Sequence, residues 1–578
     1  MARRMSYGQR LRCGSWLGIT KRKSIQAASR LVFSDAGSGH QSQMSATATV
    51  FTLCFVRCDE MGPVTPGSSR RPSTVTSPSS YDFPFMHTFF SPSFSLWPTH
   101  LEMLYEFAQR ALDDGNEVTI LECDATWSIC DMNLDHSLEK CLLCRGRTSA
   151  GLHRLRGDYN RLNAMRLRSE DRMAVSKVDF GGSTLGDLKA FGQPGFDTLG
   201  LCVASSLISL SREENPDVNA HRPRINRMLR TAYALFLSAM RVPQVDAWYI
   251  FNGRFFTTQP YVAAARASGI PFFIYERSGT LDRLSLYKNH LPHDRLLMLE
   301  LMRDHWETSA HSHSERQEIG ASFYERRAAG LPSSWFSFVE GQSRESVTLR
   351  SNRPQVVAFT SSDDEMAAVA AADWRNPLYT DQCDAIAQIA SAAAAPDAGF
   401  DLTIRAHPNL RGVQSRQVEL LRSMPANVHV IMPDEAVSSY ELLRTADAVL
   451  SFGSTVGVEA TYWGKPSILA GRAAYEGWDA VWQPATHMEL LDMLARPPQP
   501  KAKENALPYG YFQECYGMIP KHTDYPGIKV ARIHEEAILP EGVWANVARA
   551  LGHARRINGV ASIVNKYHRN RVRRILES

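Results

Sequence analysis

The sequence predicts an α/β protein of two Rossmann-like halves that face a cleft, with an extension at each end. Three observations predict it. The chain has 578 residues, too many for a single core. From residue 355 onward, short apolar runs alternate regularly with helical stretches, the pattern of a parallel sheet covered on both faces. Two further strand–loop–helix–strand units stand upstream, at 83–123 and 247–275.

The first upstream unit opens with the apolar, aromatic run 83–91, read as a buried strand. Thr99-His-Leu-Glu102 then reads as a capping box. Leu101, Leu104, Tyr105, Ala108 and Leu112 follow at helical spacing, and Asp113-Asp114-Gly115 stops the helix. Residues 117–123 form the next strand. A helix is expected over 220–241, a strand over 247–251 ending in Asn252-Gly253-Arg254, a helix over 261–268 and a strand over 271–275. Residues 282–350 read as charged, helical crossing segments. The second half supplies strands at 355–360, 402–406, 428–432, 448–451 and 467–469. Its helices fall around 383–394, 415–423, 438–445 and 455–463.

Both ends differ from this pattern. Residues 1–80 are first basic and then rich in Pro, Ser and Thr, without a lasting period, and read as a disordered extension or as a wrongly assigned start before Met86. The expected divisions are therefore 1–80, a first Rossmann-like half at 81–345, a second Rossmann-like half at 346–535, and a basic helical tail at 536–578. That tail carries Lys566, Arg569, Arg571, Arg573 and Arg574.

Composition excludes several classes. A net charge of +4 over this length does not argue for nucleic acid as a partner. No run approaches the roughly 18 apolar residues of a membrane span. The 10 cysteines are scattered, which fits a reducing cytoplasm better than a disulfide framework. Cys141-Leu-Leu-Cys144 is a fair half of a zinc site. Cys123 and Cys130 are too far apart to complete it, so packed thiols are expected and no metal ligand is assigned.

Chemistry concentrates in two segments of the second half. In Ser451-Phe-Gly453-Ser454-Thr455, a strand ends and a helix begins. Free backbone N–H groups and the helix dipole favour an anion there, and the hydroxyls add donors. Glu459, one turn further on, can accept from ribose hydroxyls. Arg405-Ala-His407-Pro408-Asn409 ends another strand of the same half, at the edge where open α/β sheets bind ligands.

These motifs, with Glu459-Ala460 and Gly464-Lys465-Pro466, resemble the C-terminal half of GT-B glycosyltransferases. They look most like the bacterial capsule polysaccharide biosynthesis family, which includes Kdo transferases. The resemblance extends less sharply over residues 83–477, including the Asn252-Gly-Arg254 and Glu276-x-x-Gly279 turns and the loop Thr360-Ser-Ser-Asp363-Asp364-Glu365. It implies sugar transfer from a nucleotide-activated donor to a capsule polysaccharide or glycolipid acceptor, with His407, Ser454 and Thr455 at the donor phosphate. Teichoic acid glycerophosphotransferases share similar segments. The Glu-Ala, Gly-Lys-Pro and Arg472 order also resembles nucleotide-sugar 2-epimerases. A non-catalytic synthesis or export accessory is the remaining reading.

The first half should then hold the acceptor and a base. Glu276 is the candidate base, because it follows a strand and precedes a Gly turn, which should bring it to the cleft. Glu276 and His407 are thus the expected catalytic pair. Arg405, His407, Ser451, Gly453, Ser454, Thr455 and Glu459 form the donor set. Asn252, Arg254, Asp363, Asp364 and Glu365 are candidates for acceptor or sugar. No cofactor is required, although the acidic loop could hold a divalent cation. The basic tail suits a peripheral contact with the inner face of the cytoplasmic membrane.

Overall fold

The computed structural model describes residues 86–92, 94–97, 99–213, 215–242, 245–331, 352–362 and 376–554. The extension at 1–80, the acidic residues Asp363, Asp364 and Glu365, and the basic residues of 566–574 lie outside the described residues. All described residues belong to one compact unit.

Two sheets carry the fold. The first has the order β3-β2-β1-β4-β5-β6. Its strands are β1 (His87–Phe90), β2 (Glu117–Glu122), β3 (Asn160–Asn163), β4 (Ala247–Phe251), β5 (Phe272–Arg277) and β6 (Leu284–Lys288). All neighbours are parallel except β5 and β6, which form an antiparallel pair placing Glu276 opposite Ser285. The second sheet is wholly parallel, with the order β11-β10-β7-β8-β9. It comprises β7 (Gln355–Phe359), β8 (Asp401–Arg405), β9 (His429–Ile431), β10 (Ala448–Ser451) and β11 (Ser467–Leu469). The expected two-sheet α/β class is therefore present. The strands of the second sheet fall within a residue or two of their predicted bounds. β7 and β10 are buried along their whole length, which is why they read as unbroken apolar runs.

Each sheet reverses its strand order once. The first reverses between β1 and β4, the second between β7 and β10. At such a point neighbouring loops diverge to opposite faces and leave a crevice beyond the carboxyl ends of the strands. Asn252–Arg254 follows β4 and borders the first crevice. Residues 360–362 and 452–455 follow β7 and β10 and border the second.

The helices explain how these edges are held. Helix α1 (His100–Asp113) buries nearly its whole length against the first sheet, and Glu102 accepts the Thr99 N–H at 2.9 Å, one arm of the predicted box. Helix α2 is Leu138–Leu152. Helix α3 (Leu199–Ser211) and the long α4 (Val218–Ala239) pack on the other face; the sequence pattern registered α4 but not α3. Helix α5 (His313–Ala328) reaches the second half, where Tyr324 stacks on Tyr462 at 4.3 Å. Core residues of the first half are therefore continuous with Val458, Leu469 and Tyr475 of the second.

After β11 the chain returns to the first sheet. Helix α7 (Leu507–Cys515) lies on α5, and its glycine Gly510 sits against the Gly320 carbonyl, where a Cβ would approach to 2.2 Å. The hairpin of β12 (Thr523–Gly527) and β13 (Val530–Ile533) packs on α1. Glu106 of α1 accepts the backbone N–H groups of Lys521, His522 and Thr523 at 2.7, 2.9 and 2.9 Å. Residues up to 535 were expected with the second half; the hairpin sits instead on the first, because a buried carboxylate there needs those donors. Helix α8 (Gly542–Ala554) closes on α2, with Gly146 allowing the approach of Glu541 and Ala545.

Candidate functional site

The first crevice is built from the ends of β4 and β5. Asn252 (φ 57°) and Gly253 (φ 81°) reverse the chain with left-handed backbone. A Cβ at Gly253 would also meet Leu291 at 2.7 Å, so both conformation and space require glycine there. The turn aims the Asn252 side chain at the neighbouring strand. Its Nδ2 donates to Oε2 of Glu276 at 2.9 Å and lies 3.4 Å from Nε2 of His293. Glu276 also accepts the Arg277 N–H at 3.2 Å.

Burial raises the Glu276 pKa to about 7, against the opposing pull of the Asn252 amide, the Arg277 N–H and the nearby guanidinium groups. The sequence placed Glu276 just after a strand, open to the cleft. It lies instead inside β5 and is 3% exposed. Pairing with β6 extends the strand, and the segment 513–518 covers the turn beyond it: Ser278 donates to the Tyr516 carbonyl, and a Cβ on Gly279 would strike the Gln513 carbonyl. His293, buried and held neutral by its burial, is a member of this group that sequence reasoning missed.

Arg254 reaches α3, donating to the Ser205 and Ser209 hydroxyls at 2.6 and 3.1 Å. Arg212 then ends α3 in left-handed backbone and donates to the Asn409 carbonyl at 3.0 Å. Helix α3 thus spans from the Arg254 turn of one sheet to the His407–Asn409 loop of the other.

At the second crevice the His407 N–H donates to the Thr360 hydroxyl at 2.9 Å, tying the loop after β8 to the loop after β7. Nδ1 of His407 accepts the Asn409 N–H at 3.3 Å. Arg405 does not join them. Its guanidinium donates to the carbonyls of Met432 and Glu435 and braces the loop after β9.

Between β10 and helix α6 (Val456–Tyr462), Gly453 adopts φ 135°. The Ser454 hydroxyl accepts the Val456 N–H at 3.4 Å, and its carbonyl accepts from the Tyr475 hydroxyl at 2.5 Å. Ser451 is wholly buried beneath α6. Glu459 is 2% exposed, and both of its oxygens are engaged. One accepts from Arg327 at 3.1 Å, the other from the Tyr440 hydroxyl at 2.5 Å. Arg327 also lies 3.5 Å from the Thr455 hydroxyl. The structure therefore brings Asn252 to Glu276, His407 to Thr360, and Arg327 to Thr455 and Glu459, while Arg405 and Ser451 support the loops from beneath. Arg327 escaped the sequence reading because nothing local marks one arginine of a charged helix.

Among the described residues, no group of three or more His, Cys, Asp and Glu side chains could hold a metal ion. Cys123, Cys130, Cys141 and Cys144 are free thiols whose pKa values burial raises.

Two doubly wound sheets with loops gathered at their carboxyl edges define a Rossmann-like, ligand-binding class of α/β protein. Residues 347–508, which carry every motif of the second half, match the family model described as capsule polysaccharide biosynthesis protein. The match falls on the residues that carry the second half's motifs and is a likeness of this segment to that family. Among solved structures, a KpsC beta Kdo 2,4 transferase of Thermosulfurimonas dismutans is 15% identical, with 46% of this chain and 80% of that one covered and a TM-score of 0.31. MurG of Acinetobacter baumannii is 12% identical, covering 76% of this chain and 98% of that one at a TM-score of 0.24. A putative UDP-N-acetylglucosamine 2-epimerase of Listeria monocytogenes is 10% identical, covering 74% and 94% at a TM-score of 0.19. No curated protein matches the chain. No helix among the described residues is long and apolar enough to cross a membrane.

Proposed function

We propose that this protein is a cytoplasmic glycosyltransferase that moves a sugar from a nucleotide-activated donor to a growing capsule polysaccharide or related glycolipid. One observation carries the reading: the family-matched segment sets the His407 loop and the Ser454–Thr455 loop on strands flanking β7, beside the reversal of strand order between β7 and β10. Donor phosphate would lie between those loops, where backbone N–H groups and hydroxyls stabilise the charge that develops as it leaves. Glu276 would take the proton of the attacking hydroxyl, steadied by Asn252, and Arg254 would meet an acidic sugar or acceptor. No cofactor is needed for this displacement, and a divalent cation at Asp363–Glu365 is compatible with it. The basic tail would hold the enzyme at the inner membrane face, near its acceptor.

The test is incubation of the full chain with CMP-, UDP-, GDP- and CDP-linked sugars, with and without capsule oligosaccharide acceptors. The expected result is acceptor-dependent transfer from one nucleotide class, lost in the Ser454→Ala/His407→Ala double variant. An epimerised sugar formed without any acceptor would overturn the reading, as would wild-type transfer by the double variant.

A further inference from the structure

A cavity of about 810 Å³, counting its open mouth, lies beside the carboxyl ends of β1 and β2. Its wall is mainly apolar, with Phe94, Leu104, Trp127 and Met132 as the large contributors. The four thiols of Cys123, Cys130, Cys141 and Cys144 complete that wall; burial keeps them protonated, and protonated thiols behave as small apolar groups.

Polar groups interrupt this lining, among them the carboxylates of Glu122 and Asp131. Asp131 is 6% exposed, and its Oδ2 accepts from the Thr257 hydroxyl. The Ser206 hydroxyl, which itself accepts the Phe256 N–H at 3.0 Å, also hydrogen-bonds this carboxyl group. Its Oδ1 has no hydrogen-bond partner among the described residues. A buried carboxylate oxygen left unpaired costs free energy that a donor from a ligand would recover. Burial raises the Asp131 pKa to about 6, so the group is mostly an acceptor at neutral pH. Thr257 lies three residues beyond Arg254, so the carboxylate end of the cavity adjoins the turn that borders the first crevice.

We infer that this cavity is the acceptor subsite and takes a hydroxyl carried on an apolar body, an alkyl or aryl glycoside, with the hydroxyl donating to Oδ1 of Asp131. The inference rests on the proposed glycosyl transfer and names the acceptor's chemistry. A free sugar fits the wall poorly, because the apolar side chains and thiols that make up most of it return none of the hydrogen bonds its hydroxyls give up. A bare alkane does not fit either, because it leaves Oδ1 unpaired.

The test uses the full chain and octyl β-glucoside below its micellar concentration, with glucose as the control, read by calorimetry and thermal shift. Octyl β-glucoside is expected to bind and glucose not to. Asp131→Asn should weaken binding about tenfold, the worth of a hydrogen bond to a charged group. Cys141→Trp, which fills the cavity, should abolish it. Wild-type affinity in both variants, with their folding verified by circular dichroism, would overturn the subsite, even if sugar transfer proceeds. Loss of binding in these variants would uphold it, even if no nucleotide sugar serves as donor; that second result would count against the proposed function alone.

Discussion

Asn252 donates a 2.9 Å hydrogen bond to Glu276 across adjacent strands, joining two turns that the sequence marks separately. The contact fixes one carboxylate oxygen, while burial holds the group's pKa at about 7. If Glu276 is the base, kcat/KM should rise with pH through about 7, as the carboxylate form becomes populated. Glu276→Gln should reduce transfer by at least about 100-fold and remove that rise. Stability should show the opposite slope. The folded state binds its proton more tightly than the unfolded chain, whose value is near 4.5. Between about 4.5 and about 7 the folded state therefore holds more protons, and stability falls as pH increases. Denaturant titrations of wild type and Glu276→Gln across that range check the sign.

Arg327 and Glu459 make a buried ion pair between α5 and α6, 132 residues apart in sequence. Burial alone would lower the guanidinium pKa, but Glu459 together with the neighbouring Tyr440 and Tyr509 outweighs this and raises it. Arg327→Met leaves the buried Glu459 carboxyl without its guanidinium partner and should cost about 3 kcal/mol. The double variant Arg327→Met/Glu459→Met should regain most of that loss, since neither charge is then stranded. Chemical denaturation of the three proteins measures both effects. A single variant as stable as wild type would show that Arg327 contributes no net stability.

The same pair shows where sequence reading stops. β7, β8 and β10 were legible because parallel strands buried on both faces read as apolar runs, and the helices that follow β7, β8 and β9 are capped by the side chains of Asp381, Ser415 and Ser438. Asn252, Glu276 and His407 were legible because each stands at the carboxyl end of such a strand. β3 (Asn160–Asn163) was not, being short, polar and at the sheet edge. Arg327, Asp131 and His293 were not legible either. Each acts through a partner on another element, Asp131 through Thr257 at 126 residues' separation, and single polar residues at that distance leave no periodic trace. The position of Glu459 is legible in the sequence, but its contacts with Arg327 and Tyr440, which come from other helices, are not.

Glu106 predicts how the return segment is held. Burial pushes its pKa upward, but the Lys521 N–H and Arg110 pull harder and leave it below its ordinary value. Its stabilisation is therefore present above the ordinary value near 4.5 and lost as pH falls through the depressed one. Glu106→Ala strands three backbone donors and should cost about 2–4 kcal/mol. Hydrogen exchange should speed at residues 521–523 before it does in β1 or β4. Uniform acceleration across the first sheet would show that the hairpin has no local stability of its own.

Gly457 tests the loop between β10 and α6 without removing any of its polar groups. A Cβ there would lie 2.4 Å from the Tyr475 hydroxyl and 2.5 Å from the Ser451 hydroxyl. Both neighbours are fully buried, and Tyr475 is the residue that holds the Ser454 carbonyl, so neither can move without disturbing the turn. Gly457→Ala should therefore cost about 1–3 kcal/mol through overpacking, although alanine favours a helix by itself. The same displacement should weaken nucleotide-sugar binding, because Ser454 and Thr455 would shift with Tyr475. Thermal shift with and without the preferred nucleotide separates the two effects: a lower melting temperature with an unchanged ligand-induced increment would mean that the turn does not touch the donor.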